Sequence, residues 1–107
     1  MGAVVGPGRR EAHAQVQLSW TEPALHDLAA ARAWIAADRP GAAQGQWDLV
    51  MAAVGRLQLF PEMGRAGRRS GTRELVVAGT PFIVPYRVGP QSIVILRVLH
   101  GRRRWPA

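Results

Sequence analysis

The chain has 107 residues, a length suited to one small domain, and 48% of them are apolar, enough for a core. The formal charge is +7, from 14 basic residues, all arginine, against 7 acids. With no cysteine, disulfides, thiolate metal sites and cysteine nucleophiles are excluded, and no apolar run approaches the roughly 20 residues of a membrane-spanning helix.

Arginine presents a planar fork of donors that matches carboxylate and phosphate, so the charge points to an acidic partner. Codon bias accounts for the absence of lysine but leaves the charge in place. Residues 1–14 are rich in Gly, Ala and Arg without periodicity, and read as a disordered tail. Pro7, Gly8, Arg9 and Arg10 interrupt any apolar stretch there, which argues against a secretory leader and for a cytoplasmic protein. Residues 15–107 then form the single domain.

In chain order, Val16, Leu18 and Trp20 alternate with polar residues, the period-two pattern of a short half-buried strand. Thr21 offers a hydroxyl to cap a helix, and Glu22 and Pro23 suit its first turn. That helix is expected over residues 22–37, with Ala24, Leu28, Ala31 and Ile35 on one face, and Pro40 stops it. A second helix is expected over residues 41–60, carrying Trp47, Val50, Met51, Val54 and Leu57 as an apolar stripe. Leu49, Ala53 and Phe60 widen that stripe beyond what one sheet needs. Residues 61–71 form a Gly- and Arg-rich loop without the lysine of a P-loop; a solvated loop and an anion contact both remain open.

Three strands follow, over residues 73–77, 82–88 and 92–99, joined by tight turns at Gly79-Thr80-Pro81 and Gly89-Pro90-Gln91. Pro85 interrupts the middle strand, where a ladder donor is missing, so a bulge or an outward-facing position is expected. The fold class is α+β, in the order β-α-α-β-β-β. A helical hairpin lies on one face of a small, mainly antiparallel four-stranded sheet, and the other face is open.

Strand alternation sorts the chemistry. Phe82, Val84, Tyr86 and Val88 share one face of the middle strand; Ile83, Pro85 and Arg87 share the other. In the last strand, Val94, Leu96, Val98 and His100 oppose Ile93, Ile95, Arg97 and Leu99. Strand charges are few, and Arg73, Glu74, Arg87 and Arg97 are expected on the open face or its edges. His100 has the residue type for proton transfer, or it is a strand-end histidine held by a backbone partner. Tyr86 reads as a core residue with a bonded hydroxyl. His13, His26 and His100 have no metal-ligand spacing, and no motif implies a cofactor. Arg102, Arg103, Arg104 and Trp105 make a basic run with an aromatic end, able to grip phosphates and stack a base, to dock on an acidic protein surface, or simply to be solvated.

An ordered series of short segments carries a family resemblance. It runs from Trp20-Thr21 and Ala24-Leu25-His26-Asp27-Leu28 through Phe60-Pro61-Glu62-Met63-Gly64-Arg65 and Gly71-Thr72-Arg73-Glu74-Leu75-Val76-Val77. It ends with Tyr86-Arg87-Val88 and Leu96-Arg97-Val98-Leu99-His100-Gly101-Arg102-Arg103. Over about residues 16–106 the sequence resembles the RelE/ParE superfamily, the toxins of type II toxin–antitoxin systems, closer to the ParE branch. The resemblance implies the same fold, and a cognate ParD/RelB-like antitoxin in a hetero-oligomer. The antitoxin's acidic, amphipathic segment would meet Trp47, Val50, Met51, Val54 and Arg73.

The superfamily splits by target, and two readings follow. In the first, a ParE-like toxin inhibits growth by binding DNA gyrase, with Arg87, Arg97, Arg102, Arg103, Arg104 and Trp105 carrying recognition and no firm catalytic residue. In the second, a RelE-like toxin cleaves mRNA on the ribosome, with His100 as acid or base and Arg73, Arg87 and Arg102 neutralising the phosphate. The nuclease branch carries arginine three residues before a tyrosine of the middle strand. Here that position is Ile83, which favours the first reading.

Overall fold

The computed structural model describes residues 16–38 and 40–101. The elements are β1 (Gln17–Trp20), α1 (Glu22–Asp38), a 3-10 turn (Pro40–Ala42), α2 (Ala43–Arg56), β2 (Arg65–Ala66), β3 (Arg73–Val76), β4 (Phe82–Val88), β5 (Ser92–Ile95) and β6 (Leu99–His100). The expected N-terminal tail and the run from Arg102 to Trp105 lie outside these residues.

Local chemistry starts α1 as expected. The Thr21 hydroxyl accepts from the Ala24 amide at 3.1 Å, an N-cap bond, and donates to the Leu96 carbonyl at 2.9 Å. One side chain therefore both begins the helix and ties it to the end of the sheet. Ala24, Ala31 and Ile35 of α1 meet Val50, Ala53, Val54 and Leu57 around the same core. The sheet contributes Leu75, Phe82, Val84, Tyr86, Ile93, Ile95 and Val98 to it.

The α+β architecture is borne out, with the helical hairpin packed on a mixed sheet. The sheet has six strands in the order β1-β5-β4-β3-β2, with β6 also on β4; β1 runs parallel to β5, and the other pairings are antiparallel. Two strands were not expected. β2 arises within the Arg-rich loop, whose Arg65 and Ala66 pair with Glu74 and Arg73. β6 arises because the last strand is broken.

Pro85 is the reason for that break. Three steps along β4, from Tyr86 to Ile83, are matched by four along the other strand, from Ile95 to Leu99. The Leu96 and Arg97 amides both point at the Pro85 carbonyl, at 2.9 and 3.4 Å. Two residues thus oppose one, which defines a β-bulge. In an antiparallel strand the N and C=O of one residue face the same neighbour, so the missing donor of Pro85 falls where the bulge makes no demand on it.

The bulge overturns simple alternation. Val98, expected with Val94 and Leu96, turns into the core beside Ile93 and Ile95. Arg97, which alternation groups with Ile93 and Ile95, lies on their helix side and meets Asp27 rather than marking the open face as expected of a strand charge.

The second helix is shorter than its apolar periodicity. After Arg56 the amides of Leu57, Gln58 and Leu59 bond to carbonyls three residues back, a 3-10 tightening. Leu57 thereby enters the core, whereas Leu59 and Phe60 are 62% and 59% exposed.

Candidate functional site

Tyr86 sits at the centre of the best-defined polar constellation. It is fully buried, and its hydroxyl donates to the Pro61 carbonyl at 2.7 Å and accepts from the Gly64 amide at 2.9 Å. Its cross-strand neighbour Arg73 donates through Nη1 to the Gly64 and Glu62 carbonyls at 2.8 and 3.1 Å. Burial raises the Tyr86 pKa above its ordinary value, opposed by the Gly64 bond and the Arg73 charge. Gly64 is required there: a Cβ would stand 2.7 Å from the Tyr86 ring and hydroxyl. These residues pin the loop after α2 onto the sheet.

The opposite face of the same strands holds a second cluster. Glu74 is 1% exposed, and its carboxylate accepts from Arg65 Nη2 at 3.2 Å and from the Arg68 amide at 3.1 Å. Arg68 Nε stands 3.5 Å from it. The expectation of an open face is corrected here. Glu74 and Pro85 are buried on the side away from the helices, because β2 and the residues after it bring Arg65 and Arg68 over Glu74. A buried carboxylate without such partners would be strongly destabilising. Sequence reasoning placed Glu74 on this face but missed its partners, which come from a loop with no period. Arg87 lies further along the same face, exposed, with Nη1 3.4 Å from the Gly71 carbonyl.

A third cluster lies on the helix side. Asp27 of α1 grips Arg97 through Nε at 2.6 Å and Nη2 at 3.1 Å, and accepts from the Val98 amide at 3.1 Å. This bidentate pair raises the Arg97 pKa further. Arg97 is therefore held on the helix side, with its side chain 27% exposed, and not on the open face where it was expected. Beside it, His100, Trp34 and Phe82 pack edge-to-face, with ring centroids 5.1 to 6.0 Å apart. With Asp27 and Val98 they line a cleft of about 200 Å³.

The residues of the nuclease reading are thus distributed rather than gathered. Arg73 is opposite Tyr86, and His100 is opposite Phe82. Four residues of strand separate these positions, roughly 13 Å at the usual rise. Arg87 points to the other face, and Arg102 lies outside the described residues. Of the residues expected to meet an antitoxin, Val50 and Val54 are in the core, 0% and 1% exposed. Trp47 is half-buried under the Arg32 guanidinium at 5.0 Å, and Met51 is exposed. The periodic stripe did not separate the side facing the sheet from the side facing out. The surface it missed is a mainly apolar groove of about 690 Å³ lined by Val16, Phe60, Pro61, Met63, Val88 and Pro90, with Glu62 and Gly89 also on its wall. Among the described residues there is no cluster of metal-ligating side chains, and no helix is long and apolar enough to cross a membrane.

The family model "ParE toxin of type II toxin-antitoxin system, parDE" matches residues 18–105. The chain is 40% identical over 90 residues to a putative toxin, Y4kP, of Sinorhizobium fredii, covering 84% of this chain and 93% of that protein. It is 37% identical over 87 residues to toxin RelE2 of Caulobacter vibrioides, covering 81% and 97%. Among solved structures, the chromosomal ParDE toxin–antitoxin system of P. aeruginosa contains a chain that superposes with a TM-score of 0.71 at 29% identity, covering 80% of this chain and 96% of that one. The span of the family match and the identity to these relatives establish that this chain belongs to the ParE toxin family of type II toxin–antitoxin systems, within the RelE/ParE superfamily.

Proposed function

We propose that this toxin inhibits growth in the cytoplasm by binding DNA gyrase, and that a cognate antitoxin neutralises it. The observation that carries the gyrase reading is the dispersal of the nuclease candidates. Arg73 is spent on loop carbonyls, Arg87 lies on the opposite face, and His100 is packed with Trp34 and Phe82 near the far end of β4. Catalysis of phosphodiester cleavage needs proton-transfer and charge-neutralising groups within reach of one phosphate. Ile83 supports the same reading, because an aliphatic side chain at the position of the nuclease arginine offers no charge to a phosphate. The antitoxin reading is supported by apolar surface that the toxin leaves uncovered. Phe60 and Met63 of the groove are 59% and 44% exposed, and Leu49 and Met51 of α2 are 46% and 37% exposed. An amphipathic acidic segment would cover these and meet the positive charge.

The test uses purified toxin in a gyrase supercoiling assay, with and without the product of the adjacent reading frame. Inhibition relieved by that product is the expected result. Full supercoiling in the presence of folded toxin would refute the reading, and new mRNA cleavage on ribosomes would replace it with the nuclease one. His100→Ala should keep toxicity, since His100 is assigned no proton transfer.

A further inference from the structure

The Arg-rich loop is used by neither the gyrase argument nor the antitoxin groove, yet it is tied to the sheet through Glu74. Arg65, Glu74 and Pro85 form a cross-strand row on β2, β3 and β4, on the face away from the helices. Arg87 projects from the same face two residues beyond Pro85. Arg68 reaches the Glu74 carboxylate, and Arg69 lies next to it at the exposed tip of the turn. That turn is closed by the Gly67 amide on the Thr72 carbonyl at 2.8 Å and the Thr72 hydroxyl on the Arg69 carbonyl at 2.7 Å. Arg65 and Arg68 flank the Glu74 carboxylate, Arg87 stands at the Gly71 carbonyl of the same turn, and Arg69 is exposed at its tip, so four arginines gather around this turn. Glu62, the other acid of the loop, lies on the Tyr86 side with Arg73.

Burial of Glu74 fixes this arrangement. The side chains of Arg65 and Arg68 remain 56% and 42% exposed while anchored beneath by the carboxylate. A guanidinium has five donors in a rigid fork, so anchoring through some of them still presents others outward. The long side chains are ordered in advance, which lowers the entropic cost of gripping a ligand. Two strand spacings, roughly 10 Å, separate β2 from β4. The positive charges are thus spread over a flat face rather than converging on one small anion. The exposed apolar groove of Phe60 and Met63 lies elsewhere and suits a peptide, leaving this face to a ligand recognised by charge.

We infer that the face formed by Arg65, Arg68, Arg69 and Arg87 binds the phosphate backbone of duplex DNA. The assignment rests on the gyrase reading, in which the toxin works beside DNA held by the enzyme. Backbone contacts of this kind position a protein without reading sequence. Their signature is counterion release, with the logarithm of affinity falling by about 0.9 per phosphate neutralised for each decade of salt.

The experiment measures fluorescence anisotropy of a labelled duplex against the full-length toxin alone, without gyrase, between about 50 and 200 mM salt. Three proteins are compared: wild type, R69Q/R87Q, and R102Q/R103Q/R104Q. Three phosphates neutralised by this face predict a loss of about 40-fold in affinity over that fourfold rise in salt. R69Q/R87Q should flatten the salt slope by about two and weaken binding about tenfold or more at the low end. An unchanged slope and affinity in R69Q/R87Q, with binding abolished in R102Q/R103Q/R104Q, would overturn the inference in favour of the C-terminal run. Tighter binding to single-stranded RNA than to duplex would overturn the choice of DNA. Should R69Q/R87Q fail to fold, R87Q alone carries the test with a slope change of about one. A supercoiling assay is run in parallel. Intact DNA binding without gyrase inhibition removes the gyrase reading and leaves the surface. Gyrase inhibition without DNA binding does the reverse.

Discussion

Tyr86 is the one tyrosine of the chain, so its ionisation can be followed by phenolate absorbance without interference. Its buried hydroxyl bridges Pro61 and Gly64, and burial raises its pKa. The folded protein should titrate above about 10, the ordinary tyrosine value, and the protein in denaturant should return to it. Because the folded value is raised, the contribution to stability is complete below the unfolded pKa and is lost as pH rises through the folded one. Tyr86→Phe should flatten that alkaline decline. It should also cost about 1–3 kcal/mol at neutral pH, read by urea unfolding, because the buried Gly64 amide loses its acceptor. Identical titration of native and denatured protein would contradict the assignment. Gly64→Ala should destabilise by a similar route, pressing its methyl into the Tyr86 ring, at about 1–3 kcal/mol.

At the scale of elements, the bulge and the end of α2 decide which side chains face where. Asp27 holds both the Arg97 guanidinium and the Val98 amide, so it clamps the bulge to α1. Asp27→Asn should cost about 1–3 kcal/mol in urea unfolding. A smaller loss in an Arg97→Gln background would show that the two act as a pair. The 3-10 tightening after Arg56 makes a sharper contrast. Leu57 is 0% exposed and Leu59 is 62% exposed, although both belong to one apolar run. Leu57→Ala should lose about 2–5 kcal/mol, and Leu59→Ala should stay within about 0.5 kcal/mol. Equal effects at the two positions would mean that the helix continues as its periodicity suggests.

For the whole molecule, apolar and basic surfaces are segregated. The groove of Phe60 and Met63 belongs to the junction of α2 with the β4–β5 turn, while the arginine face belongs to β2, β3 and β4 on the other side of the sheet. In the proposed scheme the antitoxin uses the first. Met51→Glu or Phe60→Glu should then weaken antitoxin binding about tenfold or more while leaving the melting temperature unchanged, since both side chains are exposed. Co-purification of either variant with the antitoxin at wild-type affinity would move the contact elsewhere. Val54→Ala, by contrast, should lower the melting temperature, because Val54 is part of the core.

Much of this protein is legible along the chain because it depends on neighbours in sequence. Thr21 caps the helix it precedes, Pro40 stops it, and Gly79 turns the chain with a φ of +83°. Period-two alternation grouped Phe82, Val84 and Tyr86 on the face of β4 that enters the core, and the missing donor at Pro85 pointed to a bulge or an outward-facing position, of which the bulge forms, in the strand opposite. Local propensity and patterning suffice for such features, since they involve residues a few positions apart. Other features needed the tertiary structure. The extra residue opposite Pro85 lies in the neighbouring strand and turned Val98 into the core, and the packing of α1 brought Asp27 to Arg97, 70 positions away. Glu74 found Arg65 and Arg68 in a loop with no period to announce them. Buried charges are satisfied by whatever the fold brings within hydrogen-bonding reach, and that proximity is a property of the closed chain rather than of its order.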